Sequence, residues 1–384
     1  MKIAFVTPDG LSTLIFCSTF SRVLSKHSEH DIYTISDIGE YGKDLEALPA
    51  THINLPMYRY INLSKDIKYF ISLYKIFRSN KFDVVINFTT KPNIYGVFAA
   101  YLAGVRGIFM AVRGLGRTFA KPKTKKELIL HYLVKFLYRL SSYLSSKVWF
   151  TNKDDMNIFL KSKMLRIDKA ILTRNAVDIS KWHPKNISKT KINNLKNEFN
   201  IKEGDLVILM VARLIWAKGI KEFVEASKVL SLKYPNLKFL LVAPHEAESL
   251  DSVPVSYIKK NEEDAYFKWL GFRKDVFDLY SLCDLSVLPS YYKEGGYPRA
   301  LLEAMALGKP VIAADTIECR SPVIEGENGY LVQPRDTQDL TVKIESICLD
   351  DNKLKKFGEN SLRLIKDNFD DRDVVKQILD NIEH

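Results

Sequence analysis

The chain has 384 residues, 46% hydrophobic and 27% charged, with a formal net charge of +11. That length is more than one compact core supports, so two or three domains are expected, and the composition is that of a globular rather than a disordered or fibrous chain. The four cysteines (Cys17, Cys283, Cys319, Cys348) form no Cys-x-x-Cys pair and the histidines no His-x-x-x-His pair; both read against a disulfide frame and a metal centre, and for reduced thiols in a cytosolic protein.

In chain order, MKIAFVTPDG meets Pro8 and Asp9 too early to be the apolar region of a signal peptide. The runs 2–7, 31–36, 83–88, 108–112 and 147–152 read as strands, and 13–26, 65–79, 92–104 and 125–146 have helical spacing. The first strand ends in TPDGLSTL, which is not Gly-x-Gly-x-x-Gly, so a dinucleotide-binding domain is disfavoured. The apolar stretch 94–105 is well short of the roughly twenty residues that span a bilayer. Residues 1–174 carry 27 Lys and Arg against 13 Asp and Glu, whereas the remainder carries 30 against 33. All of the basic excess is therefore in the first half, which suggests a partner bearing phosphates or an anionic surface. No nucleic-acid module or basic-aromatic motif accompanies it, so nucleic acid is not expected.

Residues 175–191 are polar and without apolar period and read as a linker. Beyond them, strands 206–212, 238–243, 285–290 and 310–315 alternate with helices near 219–233, 298–307 and 336–349. The expected architecture is α/β: two doubly wound, Rossmann-like domains facing each other across a cleft, with ligands beyond the carboxyl ends of the strands. The boundaries are 1–174 for the first domain, 175–191 for the linker and 192–365 for the second domain. A helical tail, 366–384, is expected to pack back on the first domain.

Two segments carry chemistry. In LMVARLIWAKGIKEFVEA (209–226), Arg213 and Lys218 follow a strand and precede a helix. A planar guanidinium fork and a mobile ammonium in one short turn can clamp a diphosphate, although surface charges flanking a turn would look the same. In KEGGYPRALLEAMALGKPVIAAD (293–315), Pro298 suits the first turn of a helix that is apolar nearly all round, yet that helix holds Glu303. An ionised carboxylate there needs a hydrogen-bonding partner. A phosphate on the helix N-terminus would leave Glu303, roughly 7–8 Å deeper, level with an attached ribose, and Glu294 on the side of a transferred group. The alternative is that Glu303 faces solvent and Glu294 fills a turn.

Together these segments resemble the retaining nucleotide-sugar glycosyltransferases of family 4, which have the GT-B fold, and the resemblance covers most of the chain. It carries over to VARLIWAKGIKEFVEA, LGFRKDVFDLYSLCDLSVLPS (270–290) and EGGYPRALLEAMALGKPVIAAD in the second half. In the first half TTKPNIYGVFAAYLAGV (89–105), RGLG (113–116) and FTNKDD (150–155) resemble a bacterial branch. Its members add N-acetylhexosamines to undecaprenyl-diphosphate-linked sugars for surface polysaccharide or protein glycosylation. The resemblance implies Arg213, Lys218 and Glu294 as catalytic. It implies Glu303, Gly295, Gly296, Tyr297, Pro298, Arg273 and Arg113 around the donor, and Gly10, Lys91, Gly114 and Gly116 on the acceptor side. It implies a UDP-sugar donor, a lipid-diphosphate saccharide acceptor, no metal, and a cytoplasmic enzyme peripheral on the inner face of a bacterial plasma membrane.

Two departures stand out. The family's glutamates have seven residues between them, and here Glu294 and Glu303 have eight. The extra residue is placed in the Gly-Gly-Tyr turn, because inserting it in the helix would rotate Glu303 by about 100°. Where many relatives have a histidine facing the donor sugar, this chain has Arg113. The basic run at Lys121, Lys123, Lys125 and Lys126 leads into LILHYLVKFLYRLSSYL (128–144), which suits either a helix resting on an anionic membrane or a core helix with solvated ends. Rival readings are a UDP-sugar 2-epimerase of the same plan and a non-catalytic membrane-surface adaptor.

Overall fold

The computed structural model of the chain describes residues 1–25, 30–58, 61–115, 119, 124–247, 249–262, 266–293 and 296–383. It divides into two compact units, Met1–Arg174 with Asp371–His384, and Asn175–Asp370.

Among the described residues the first unit has a seven-stranded sheet: β1 (Lys2–Asp9), β2 (Asp31–Asp37), β3 (Thr51–Asn54), β4 (Val84–Phe88), β5 (Gly107–Val112), β6 (Lys147–Phe150) and β7 (Ala170–Leu172). The order is β3-β2-β1-β4-β5-β6-β7 and every pairing is parallel. Side chains alternate between its faces, so Ile3 and Phe5 join Phe88 and Trp149 in one cluster while Ala4 and Val6 join Val85, Met110 and Phe150 in another. Helices cover both clusters, which is why the strands read as unbroken apolar runs. Gly10–Leu24 and Asp371–Glu383 lie on the first cluster, and Leu63–Asn80, Val97–Ala103 and Lys125–Leu144 on the second. The predicted helix 92–104 opens instead as a π-turn, Pro92–Gly96, before Val97–Ala103. Gly96 lies so close to Asn87 that a Cβ would sit 2.0 Å from its Oδ1.

The second unit has six parallel strands: β8 (Leu206–Val211), β9 (Leu237–Val242), β10 (Lys268–Gly271), β11 (Leu285–Leu288), β12 (Val311–Ala314) and β13 (Gly329–Val332), in the order β10-β9-β8-β11-β12-β13. In each sheet the chain winds outward from its first strand, then returns to that strand's other side. The direction reverses between β1 and β4 in one sheet and between β8 and β11 in the other. Doubly wound sheets bind ligands at such crevices, beyond the carboxyl ends of the strands.

The stretch 175–191 is not a free linker. Val177 and Trp182 are buried in the core of the second unit, with the Trp182 ring 5.6 Å from Phe277 and 6.0 Å from Tyr280. Apolar residues spaced this irregularly have no period to read, but one tryptophan is enough to anchor the segment. Residues 366–370 also belong to the second unit, so the helix of the first unit starts at Asp371 rather than 366.

Candidate active site

The loops after β8 and β11 meet at the crevice of the second sheet, and a glycine lets them do so. Gly219 has φ +80, and a Cβ on it would lie 2.4 Å from the carbonyl oxygen of Pro289. The loops are also joined by hydrogen bonds. The Ala217 carbonyl accepts from the Tyr291 N–H at 2.9 Å and from the Ser290 hydroxyl at 3.4 Å, and the Ala217 N–H donates to the Asp251 carboxylate at 2.9 Å. A short 3-10 turn, Trp216–Lys218, carries the chain from Arg213 to the helix Ile220–Lys233.

This frame brings Arg213 and Lys218 together on one aromatic ring. The Arg213 Cζ lies 4.7 Å and the Lys218 Nζ 5.3 Å from the centre of the Tyr292 ring. Arg213 also donates to Glu246 at 3.3 Å. Lys218 is only 8% exposed, and the ring offers its ammonium an electron-rich face.

The helix that follows β11 is Arg299–Ala306. Pro298 stands outside it in extended conformation (φ −62, ψ 121), so the helix starts one residue later than predicted. The Pro298 carbonyl accepts from Leu301 and Leu302 at 3.1 and 3.3 Å, and Arg299 and Ala300 form the first turn at the helix mouth. Glu303 does not face solvent alone. Arg299, one turn earlier, donates to it from Nε at 3.2 Å and from Nη2 at 3.1 Å. Burial pushes the Glu303 carboxyl above its ordinary value, while the charges of Arg299 and Lys181 pull it down. Ahead of the helix, Gly296 has φ +131, a conformation that favours glycine. The Tyr297 carbonyl accepts from the Asn175 side chain at 2.8 Å, and the Tyr297 ring meets Phe369 edge-on at 5.4 Å. Glu294, Gly295 and Gly116 lie outside the described residues.

Other candidates are held elsewhere. Arg273, expected at the donor, is clamped by Glu198 (2.7 and 3.3 Å) and Asp275 (2.8 and 2.6 Å), which hold its guanidinium above its usual range. Four charge-assisted bonds staple the loop after β10 to the helix Lys189–Glu198. Lys91, expected on the acceptor side, reaches Asp66 at 2.5 Å and the Tyr58 carbonyl at 2.6 Å, and so ties the helix Leu63–Asn80 to the π-turn. At the carboxyl edge of the first sheet, Arg113 lies 4.4 Å over the Phe16 ring, next to Gly114 at φ +112. Gly10 opens a helix where a Cβ would come within 2.9 Å of the Ile38 carbonyl oxygen. Thr89, after β4, has φ +73, a strained conformation for a β-branched residue.

Sequence reasoning missed Tyr292, Arg299, Asn175 and Lys181. Only Arg299 left a readable signal: it stands four residues before a glutamate on a predicted helix, the spacing of a helical ion pair. Among the described residues, no group of three His, Cys, Asp or Glu side chains is arranged to hold a metal ion.

Residues 191–363 match the family model described as glycosyl transferases group 1, and residues 2–152 the one described as glycosyl transferase 4-like. An N,N'-diacetylbacillosaminyl-diphospho-undecaprenol alpha-1,3-N-acetylgalactosaminyltransferase of Campylobacter jejuni is 28% identical over 92% of this chain and 91% of its own. A UDP-Gal:alpha-D-GlcNAc-diphosphoundecaprenol alpha-1,3-galactosyltransferase of Escherichia coli is 28% identical over 83% of this chain and 79% of its own. The crystal structure of Anabaena Alr3699/HepE in complex with UDP and glucose superposes with a TM-score of 0.78 at 20% identity, covering 100% of this chain and 99% of that one. With one glycosyltransferase family matching each half and the fold shared throughout, the chain belongs to the glycosyltransferases of group 1 with a 4-like N-terminal domain, enzymes of the GT-B fold.

Proposed function

We propose that the protein is a retaining, metal-independent transferase for an N-acetylhexosamine. It moves the sugar from a UDP-sugar to a saccharide carried on a lipid diphosphate, in the assembly of bacterial surface polysaccharide or glycan. The observation that carries this reading is the pair of cations, Arg213 and Lys218, gathered on one tyrosine at the crevice where the Arg299–Ala306 helix also opens. The names of the Campylobacter and Escherichia relatives, both transferases to undecaprenyl-diphosphate-linked sugars, support the acceptor class.

In this scheme the bond between the anomeric carbon and the β-phosphate oxygen breaks with its electron pair on UDP. The acceptor hydroxyl oxygen bonds to the same face of that carbon, and its proton passes to the departing diphosphate. Arg213, Lys218 and the helix mouth stabilise the charge gathering on UDP and need no reorganisation to do so. Glu303 accepts the ribose hydroxyls, and Glu294 orients the sugar being transferred. Ribose hydroxyls donate best to an ionised carboxylate, and burial raises the Glu303 carboxyl. UDP affinity is therefore expected to fall as pH drops through a window above the ordinary glutamate range. In titrations across pH, Glu303→Gln should bind UDP more weakly and lose that dependence; a wild-type affinity that is flat across this window would remove Glu303 from the ribose.

The acceptor is a lipid, and the first unit has a surface suited to a bilayer. On the helix Lys125–Leu144, Ile129, Tyr132, Phe136 and Tyr143 are 70, 64, 58 and 76% exposed along one face, while Val134 and Tyr138 are buried on the other. Lys125, Lys126, Lys135 and Arg139 belong to the same helix. The helix Leu63–Asn80 repeats the pattern with exposed Leu63, Ile67 and Ile71. Among the described residues no helix is long and apolar enough to cross a membrane. Such faces suit the headgroup layer of anionic lipid and support the reading of an enzyme peripheral on the cytoplasmic leaflet.

One assay tests the whole reading: UDP-sugars are screened in EDTA against a lipid-diphosphate saccharide in anionic vesicles, following UDP release and product mass. Acceptor-dependent UDP release with retained anomeric configuration is expected. Strict dependence on manganese would overturn the metal-free scheme, and donor conversion without UDP release would overturn transfer itself. In the same vesicles Tyr132→Ser with Phe136→Ser should lower the bound fraction; unchanged binding would move the membrane face elsewhere.

A further inference from the structure

This inference rests on the reading of Arg213 and Lys218 as the diphosphate clamp. Two cations converging on one site repel each other, and a clamp for a dianion has to keep them together before the dianion arrives. Glu246 offsets part of the Arg213 charge at 3.3 Å, but a carboxylate set between the two cations would also repel the incoming phosphates. A tyrosine ring avoids the conflict, since its face is electron-rich yet carries no charge. Tyr292 occupies that position, with the Arg213 Cζ at 4.7 Å and the Lys218 Nζ at 5.3 Å from its centre. Its backbone is fixed as well. The Tyr292 N–H donates to Ser290 Oγ at 3.3 Å, Ser290 in turn donates to the Ala217 carbonyl, and the neighbouring Tyr291 N–H binds that same carbonyl. Tyr292 is thus tied by main-chain geometry to the turn that carries Lys218.

We propose that Tyr292 is a positioning residue: its ring seats both clamp cations in the donor-free enzyme and yields them to the diphosphate of the UDP-sugar. The phenol hydroxyl has no part in this, and the π face is what acts.

The test measures UDP and uridine binding by calorimetry, and the donor KM, for Tyr292→Phe, Tyr292→Leu and a chain with 3,4,5-trifluorophenylalanine at position 292. The phenylalanine variant is expected within about twofold of the parent. The leucine variant is expected to bind UDP roughly tenfold more weakly and to show a matching rise in donor KM, with uridine affinity unchanged because uridine has no diphosphate. The trifluorinated ring keeps the shape but loses the negative face, so UDP should bind several-fold more weakly than to Tyr292→Phe. That isosteric pair decides the matter even if the leucine variant does not fold, and equal UDP affinity within it overturns the proposal. Arg213→Ala separates the two levels of the argument. If it leaves UDP affinity unchanged, the clamp reading fails; if it weakens UDP while the ring series does not, only the role of Tyr292 fails.

Discussion

Replacing Arg213 by alanine is expected to slow sugar transfer about ten- to hundredfold. A charge-assisted hydrogen bond contributes roughly 1.5–3 kcal/mol. If that much is realised as charge develops on the leaving UDP, the rate changes by the stated factor. Lys218→Ala should fall in the same range and, because the side chain is buried, should also lower stability. If both cations answer one diphosphate, as proposed, the double variant should lose less than the product of the two. Steady-state kinetics with saturating acceptor provide the measurement. Unchanged turnover and unchanged UDP affinity in Arg213→Ala would sink the assignment.

The second large effect is on stability. Gly219→Ala places a methyl 2.4 Å from the Pro289 carbonyl oxygen at a backbone φ of +80. The conformation alone costs an alanine about 1–2 kcal/mol, and forcing the β8 and β11 loops apart adds about 1–3 kcal/mol. A fall of roughly 5–15 °C in melting temperature is expected, with loss of activity because the Lys218 turn moves. Gly326→Ala is the control. Gly326 has φ +75 with nothing within 4 Å, so only the backbone cost applies. Equal melting temperatures for the two variants would show that the close approach of the loops contributes nothing.

The central strands of both sheets were legible because each is an apolar run buried on two faces. The strands not anticipated were β3, β7, β10 and β13, and these are the four sheet edges. Edge strands are short and half-covered, and they carry residues such as His52, Asn54 and Lys268 that blunt the periodic signal. Arg213 and Lys218 were legible as candidates from their place after a strand. Their common seat on Tyr292 was not, because it depends on two loops distant in sequence. Glu303 announced itself as a charge in an apolar helix. The polar stretch from Asn175 to Lys191 concealed its work: Asn175 steadies the turn before that helix, and Lys181 bears on the Glu303 carboxyl. Arg273 and Lys91 were visible as cations, but Glu198 and Asp66, which pair with them, lie in distant segments; only Asp275 is local to Arg273.

The helix Asp371–Glu383 completes the first unit, placing Val375 and Ile378 against Ile3, Phe5 and Trp149. On the ribosome, this means that the domain begun first is finished last. The whole of the second unit is synthesised while the Phe5 face of the first sheet has the Gly10–Leu24 helix but lacks the rest of its cover, so a chaperone would meet an unfinished domain followed by a complete one. A nonsense codon after Asp370 would leave the second unit intact but uncover apolar residues of the first, and proteolysis would be the expected fate of that product.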